Sequence, residues 1–206
     1  MSNKIGIINY GMGNIRSVEN AVKKLNFNVS IVKDPDDINN VDKLILPGVG
    51  SFKEAMKLLN TGNWIEKINF NVIQKKKPIF GICLGMQLFG SSSEEFGFTK
   101  GFNFIDGEIK NLKSIGCVNN LPQIGWNSIK KKNEHIFMSG IPDNTDFYFV
   151  NSFAFKPKDT SNIISETDYG VKFCSVIAKD NIFGTQFHPE KSSKAGNQLL
   201  KNFLDA

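Results

Sequence analysis

The segment Pro78-Ile79-Phe80-Gly81-Ile82-Cys83-Leu84-Gly85-Met86-Gln87 restricts the possible folds more than any other part of the chain. An apolar run with the character of a buried strand ends at Cys83, and a helical pattern starts at once, leaving no residues for a loop. Such a junction is a tight strand-to-helix turn. Gly81 and Gly85, two positions either side of the cysteine, are the residues that a crowded turn needs. The turn pushes its central side chain out of the top of a sheet. It also sets the first N–H groups of the new helix beside the sulfur, which favours a thiolate. The alternative is a cysteine packed on a core strand, the usual situation of a free thiol. A base would separate the two readings.

The chain has two histidines. His135, in Lys132-Asn133-Glu134-His135-Ile136, belongs to a polar stretch and reads as a surface residue. His188, in Gly184-Thr185-Gln186-Phe187-His188-Pro189-Glu190, follows an apolar strand, and strand ends are where α/β sheets carry their active sites. Pro189 stiffens the backbone, and Glu190 is near enough to turn back and orient the imidazole. Cys83, His188 and Glu190 thus supply the nucleophile, base and orienter of thiol acyl-transfer chemistry. Leu46-Pro47-Gly48-Val49-Gly50-Ser51 ends another strand at the same edge. Backbone N–H groups around Val49 and Gly50, with that of Leu84, would form an oxyanion hole. Taken alone, the segment is also compatible with an ordinary glycine turn before a helix.

Around these motifs the first half alternates strands and helices. Strands are expected at Lys4–Tyr10, Val29–Val32, Lys43–Leu46 and Pro78–Ile82. Helices are expected from Asn14, as N-cap, to Leu25, and over 51–60 and 64–76. Alternation of this kind means a mostly parallel central sheet with helices on both faces. The second half is richer in strands, near 104–113, 124–131, 146–155, 162–166 and 171–187, and more antiparallel. An amphipathic helix over Ser192–Leu204 closes a single α/β domain, 1–206.

Composition narrows the functional classes. The net charge of +5 rests almost wholly on lysine, with Arg16 the only arginine, and phosphate readers favour the arginine fork. Lys75-Lys76-Lys77 is read as a helix end and Lys130-Lys131-Lys132 as a hairpin, so no nucleic-acid partner is expected. Three widely spaced cysteines, Cys83, Cys117 and Cys174, and two histidines give neither a disulfide framework nor a metal site, and no metal or cofactor is expected. Cys117 and Cys174 are read as structural. Gly11-x-Gly13 lacks the third glycine of a dinucleotide fingerprint, since Arg16 occupies that position. No apolar run approaches the roughly 20 residues of a membrane span, and the run after Met1-Ser2-Asn3-Lys4 is too short for a signal peptide. A cytoplasmic protein is expected.

Together, the Cys83 turn, Pro47-Gly48-Val49-Gly50 and Gln186-Phe187-His188-Pro189-Glu190 resemble the class I (triad) glutamine amidotransferases. Tyr10-Gly11-Met12-Gly13-Asn14-Ile15-Arg16-Ser17-Val18, Gly125-Trp126-Asn127, Tyr148-Phe149-Val150-Asn151-Ser152 and Pro189-Glu190-Lys191-Ser192 resemble one branch, the glutaminase subunits of imidazole glycerol phosphate synthase in histidine biosynthesis. The resemblance runs end to end and implies a flavodoxin-like fold. It implies that Cys83 forms a γ-glutamyl thioester, with His188 shuttling protons and Glu190 holding the imidazole. It further implies that Gln87, Glu95 and Ser152 grip the α-amino and α-carboxylate groups of glutamine. Ammonia would pass to a cyclase subunit in a heterodimer. Two positions depart from the branch, Gln123 and Asn151, where the family usually carries histidine. The alternatives are a paralogous subunit feeding another synthase, such as one that modifies surface sugars, a free-standing γ-glutamyl hydrolase, or a non-catalytic sensor.

Overall fold

The computed structural model describes residues 3–206; Met1 and Ser2, part of the stretch read as too short for a signal peptide, lie outside them. In the first half, the short apolar runs form β1 (Lys4–Ile8), β2 (Asn28–Val32), β3 (Lys43–Gly48) and β4 (Ile79–Cys83). Between and after them lie α1 (Ile15–Lys24), α2 (Phe52–Thr61), α3 (Trp64–Asn69) and α4 (Leu84–Leu88). Ile5, Ile7, Leu44, Ile45, Ile79 and Phe80 are all fully buried. Such runs do not alternate because both faces of a parallel sheet are covered. Val18, Ala21 and Val22 of α1 pack on one face with Ile7, Ile45 and Phe80. Phe52, Ala55 and Leu59 of α2 and Ile68 of α3 pack on the other with Ile8, Leu44 and Leu46.

The second half adds β5 (Ser92–Ser93), β6 (Thr99–Lys100), β7 (Gly107–Asn111), β8 (Gln123–Ser128), β9 (Lys130–Lys131), β10 (Asp146–Asn151) and β11 (Phe153–Pro157), then β12 (Ile163–Asp168), β13 (Lys172–Lys179), β14 (Ile182–Thr185) and α5 (Ser193–Asp205). The main sheet has eight strands in the order β2-β1-β3-β4-β14-β13-β12-β9. It is parallel from β2 to β14 and antiparallel beyond. Two smaller sheets, β10-β8 and β11-β7-β5-β6, stand apart from it. The architecture is the expected α/β arrangement with an antiparallel second half.

Several local expectations are corrected. The run 146–155 is two strands, broken at Ser152, which pair in different small sheets. Lys130 and Lys131 form no hairpin; they make a short edge strand against β12, and edge lysines discourage pairing with other chains. The helix expected over 64–76 is α3 continued by a π-helical turn, Phe70–Gln74. Asn14 occupies the N-cap of α1, yet its Oδ1 accepts from the Ser17 hydroxyl at 2.8 Å in place of a backbone N–H. At the chain's end, buried Lys43 donates to the carbonyls of Phe203 at 3.0 Å and Leu204 at 2.8 Å, and to that of Ala206, so it caps α5. Among the described residues no helix is long and apolar enough to cross a membrane.

The central contact is between β3 and the start of α4. A Cβ placed on Gly85 would lie 1.8 Å from the Leu46 carbonyl oxygen, and one on Gly81 would lie 2.6 Å from the Gly85 carbonyl carbon. Neither position has room for a side chain, because the neighbouring atoms are backbone. Gly85→Ala should therefore destabilise the fold by about 3 kcal/mol or more. The urea midpoint measures this, and an unchanged midpoint would show that the contact can relax.

Candidate active site

Cys83 ends β4 with φ 54° and ψ −109°, a left-handed conformation that a side-chain-bearing residue rarely adopts. The glycines either side permit it, and the strained turn lifts Sγ to the C-terminal edge of the sheet. The helix that follows has only five residues, so the sequence-based expectation of a helix N-terminus beside the sulfur is met by a single turn. The flanking strands in the sheet are β3 and β14, with Gly48 in register with Cys83, and Thr185 with Ile82. Adjacency in the sheet therefore delivers Val49 and Gly50 from one side and Gln186 to His188 from the other. Gly50 has φ +101°, which a glycine accommodates without strain.

The thiol faces a cavity of about 230 Å³ lined by Val49, Gly50, Cys83, Leu84, Gln87, Glu95, Pro122, Val150, Asn151, Ser152, Phe153 and His188. Every site residue singled out in the sequence is in this lining except Glu190, which stands behind the imidazole. His188 Nδ1 and Glu190 Oε1 are 2.9 Å apart, and the Glu190 side chain is fully buried. Its Oε2 has no hydrogen-bond partner among the described residues. Burial alone would lower the pKa of His188, but hydrogen bonds to Cys83 and Glu190 and the charges of both prevail and raise it to about 10. Relative to the ordinary value near 6.5, this favours the imidazolium in the folded chain. Its contribution to stability is complete below about pH 6.5 and is lost as pH rises through about 10.

Glu95 is half-buried on the loop between β5 and β6, and its Oε2 accepts from the Phe52 N–H at 2.7 Å. Burial raises its pKa, and the Phe52 hydrogen bond opposes that rise. Gln87 is buried; its Nε2 donates to the Phe153 carbonyl at 3.0 Å and to Gln186 Oε1 at 2.9 Å. Ser152 sits at the break between β10 and β11.

Three contributions escaped the sequence reading, and the pairing of two residues named there is a fourth. Gln186 Nε2 donates to Cys83 Sγ at 3.6 Å. Ser192 Oγ donates to the His188 carbonyl at 2.6 Å and accepts from the Tyr148 N–H at 3.0 Å, fixing the backbone that carries the imidazole. The buried Tyr10 phenol packs against Gly48, 3.0 Å from where a Cβ would be, and burial followed by the Cys83 charge raises its pKa. Gln123 and Asn151, the two departures from the resembled branch, lie directly opposite one another in β8 and β10. Gln123 Oε1 and Asn151 Oδ1 are both buried without a partner among the described residues. Only the Ser192 contact had a local cue, its place four residues after His188. His135, read as a surface residue, is half-buried, and its Nδ1 accepts from the Phe137 N–H at 3.1 Å, capping a 3-10 turn. Among the described residues no group of three His, Cys, Asp or Glu could hold a metal ion.

Residues 6–206 match the family model described as glutamine amidotransferase class-I. The chain is 45% identical over 199 residues to a Campylobacter jejuni protein named imidazole glycerol phosphate synthase subunit HisH 1, covering 97% of this chain and 98% of that one. It is 40% identical over 203 residues to the imidazole glycerol phosphate synthase subunit HisH of Geobacter metallireducens, covering 97% and 96%. A solved structure titled as a glutamine amidotransferase superposes with a TM-score of 0.77 at 14% identity, covering 98% of this chain and 97% of that one. PurLQS of Thermotoga maritima superposes at 0.75 with 19% identity, covering 100% and 99%. At these identities the structural likeness is one of fold.

The pKa shifts of the two histidines oppose one another. In proton NMR, His135 should titrate below the ordinary histidine value, because burial lowers it, and His188 well above it. Cys83→Ala should bring the His188 titration down and leave that of His135 in place. A wild-type His188 titrating at the ordinary value would mean that the charged pair does not form.

Proposed function

We propose, on the premise that the chain belongs to the class-I glutamine amidotransferase family, that it is the glutaminase subunit of an imidazole glycerol phosphate synthase. The observation that carries the reading is Cys83 at a strained turn on the floor of an amino-acid-sized cavity, with the buried His188–Glu190 pair at the same edge. Sγ attacks the side-chain carbonyl carbon of glutamine, and the C=O electron pair moves onto oxygen. Backbone N–H groups around Val49, Gly50 and Leu84 donate hydrogen bonds to that oxyanion. Collapse breaks the C–N bond; the nitrogen takes a proton from the His188 imidazolium and departs as ammonia. The neutral imidazole then removes a proton from water, which adds to the thioester. The C–S bond breaks with its electron pair on sulfur, leaving glutamate and restoring the ion pair. Glu190 holds Nδ1–H throughout.

Glu95, Gln87 and Ser152 face the same cavity and would hold the charged α end of the substrate. A partner subunit follows from the relatives' printed names, and the surface around the cavity mouth is consistent with one. Val49, in the cavity lining, and Ile124, opposite the cavity-lining Val150, are exposed there as large apolar side chains. The partner of this reading is the cyclase subunit, which receives the ammonia.

The test is glutamate release by the purified chain, alone and with the cyclase subunit and its ribonucleotide substrate. Strong stimulation by the cyclase is expected. Stimulation only by a sugar-modifying synthase would keep the chemistry and overturn the pathway, and full activity alone would mean a free-standing hydrolase. Cys83→Ala should lower ammonia production at least a thousandfold, while Glu190→Gln should cost less than loss of His188, because an orienter only aligns and stabilises the base. Glu95 gives a pH signature. Its raised pKa means that acidification neutralises it early, so the KM for glutamine should climb as pH falls, and Glu95→Gln should flatten that rise.

A further inference from the structure

Gln186 is fully buried, so its amide must find all its partners inside the protein. The direction of that amide is set by a chain of contacts that begins at a backbone carbonyl. The Phe153 carbonyl can only accept, so the Gln87 group facing it at 3.0 Å is the NH₂. The same NH₂ presents its second hydrogen to the Gln186 side chain at 2.9 Å, so that atom is the oxygen. The Gln186 NH₂ is thereby turned to Cys83 Sγ, 3.6 Å away. Asn151 Nδ2 donates to the Phe153 carbonyl as well, at 3.2 Å, which anchors the far end of the chain. Cys83 Sγ itself lies 3.8 Å from the Val150 carbonyl, an acceptor that an anionic sulfur cannot use.

We infer that Gln186 is a positioning residue that links the nucleophile to substrate recognition, donating an N–H to the Cys83 sulfur and accepting the second N–H of Gln87. A thiol is a weak acceptor, so a buried N–H aimed at it is poorly satisfied, whereas a thiolate accepts a charge-assisted bond. The contact therefore favours the anionic nucleophile. It also has a consequence for turnover that rests on the glutaminase reading. Sulfur in the thioester is neutral and accepts poorly, so the N–H regains a strong acceptor only as the C–S bond breaks and the thiolate leaves. Gln186 thus assists deacylation. Through its oxygen it uses up the second Gln87 hydrogen, so the Gln87 NH₂ is fully committed to the protein and its oxygen alone is free for a donor on the substrate.

The contact with sulfur can be tested without any turnover. The rate of iodoacetamide labelling at Cys83, which opens to the cavity, is read in the purified chain by peptide mass spectrometry, which separates it from Cys117 and Cys174. Gln186→Leu removes both amide roles. Gln186→Glu keeps the shape and an acceptor for Gln87 while removing the N–H to sulfur. Both variants should label at least about tenfold more slowly at neutral pH, the scale of one hydrogen bond to a charged group. Their labelling profiles should move to higher pH. With glutamine and the activating subunit, Gln186→Leu should also raise KM, whereas Gln186→Glu should lower kcat more than it raises KM. Wild-type labelling rates and profiles in folded Gln186→Glu would overturn the inference. Slow labelling in a chain that never hydrolyses glutamine would uphold the sulfur contact and reject the glutaminase reading instead.

Discussion

A backbone oxygen sets the geometry of this protein's reactive edge. Leu46 O on β3 occupies the space that any side chain at position 85 would need, so β3 and the first turn of α4 meet with nothing between them. That contact leaves the chain no gradual route from β4 into α4. Cys83 absorbs the whole change of direction at φ 54°, a conformation of the kind that costs on the order of 1–3 kcal/mol and persists only where its surroundings enforce it. The enforcement comes from both sides, since β4 is hydrogen-bonded to β3 and to β14. Both neighbours run parallel to β4, so their continuations arrive at the same edge. The glycine-rich segment after β3 and the histidine after β14 are close to the thiol for that topological reason.

Charge is distributed around this edge to suit a proton that must be given and then taken. Glu190 is fully buried with one oxygen on His188 and the other without a described partner. A buried carboxylate with a single neutral donor would be poorly compensated, so the pair is most favourable with a charged imidazole. The histidine thus rests as an acid, ready for a leaving nitrogen, and becomes a base only after giving that proton away. Ser192 and Tyr148 hold the backbone of the same residue, so the proton moves while the ring stays in place. Glu95 has a different setting. It is only half-buried and opens to the cavity, so a mobile cation can compensate it, where Glu190 depends on a fixed one.

How much of this could be read in the sequence depended on distance along the chain. The Cys83 turn is contained in ten residues, and His188 and Glu190 are two apart, so local chemistry made them legible. The strand–helix alternation that dictates a parallel sheet was legible for the same reason. The amide chain was not, because Gln87 and Gln186 are separated by 99 positions and meet only through the register of β4 with β14. The opposition of Gln123 and Asn151 likewise exists only once β8 and β10 are paired. The break at Ser152 was hidden because Phe147, Phe149, Phe153 and Phe155 continue a period of two straight through it. A periodicity reports which residues face a core, and cannot report that the chain has passed from one sheet to another.

That unreadable break builds the wall of the cavity opposite the sheet edge. A strand continuing unbroken through 146–155 would offer its carbonyls to a single neighbouring strand. By changing sheets at Ser152, the chain turns four consecutive residues, Val150 to Phe153, toward the pocket. The Val150 carbonyl then stands by the sulfur, and the Phe153 carbonyl orients both Gln87 and Asn151. A backbone carbonyl cannot exchange donor for acceptor, so it is a firmer reference for amide direction than another side chain would be. The orientation of every amide from Phe153 to the sulfur follows from that one fixed polarity. Precise placement of the polar groups therefore depends less on the identity of the loop residues than on where the chain leaves β10 and joins β11.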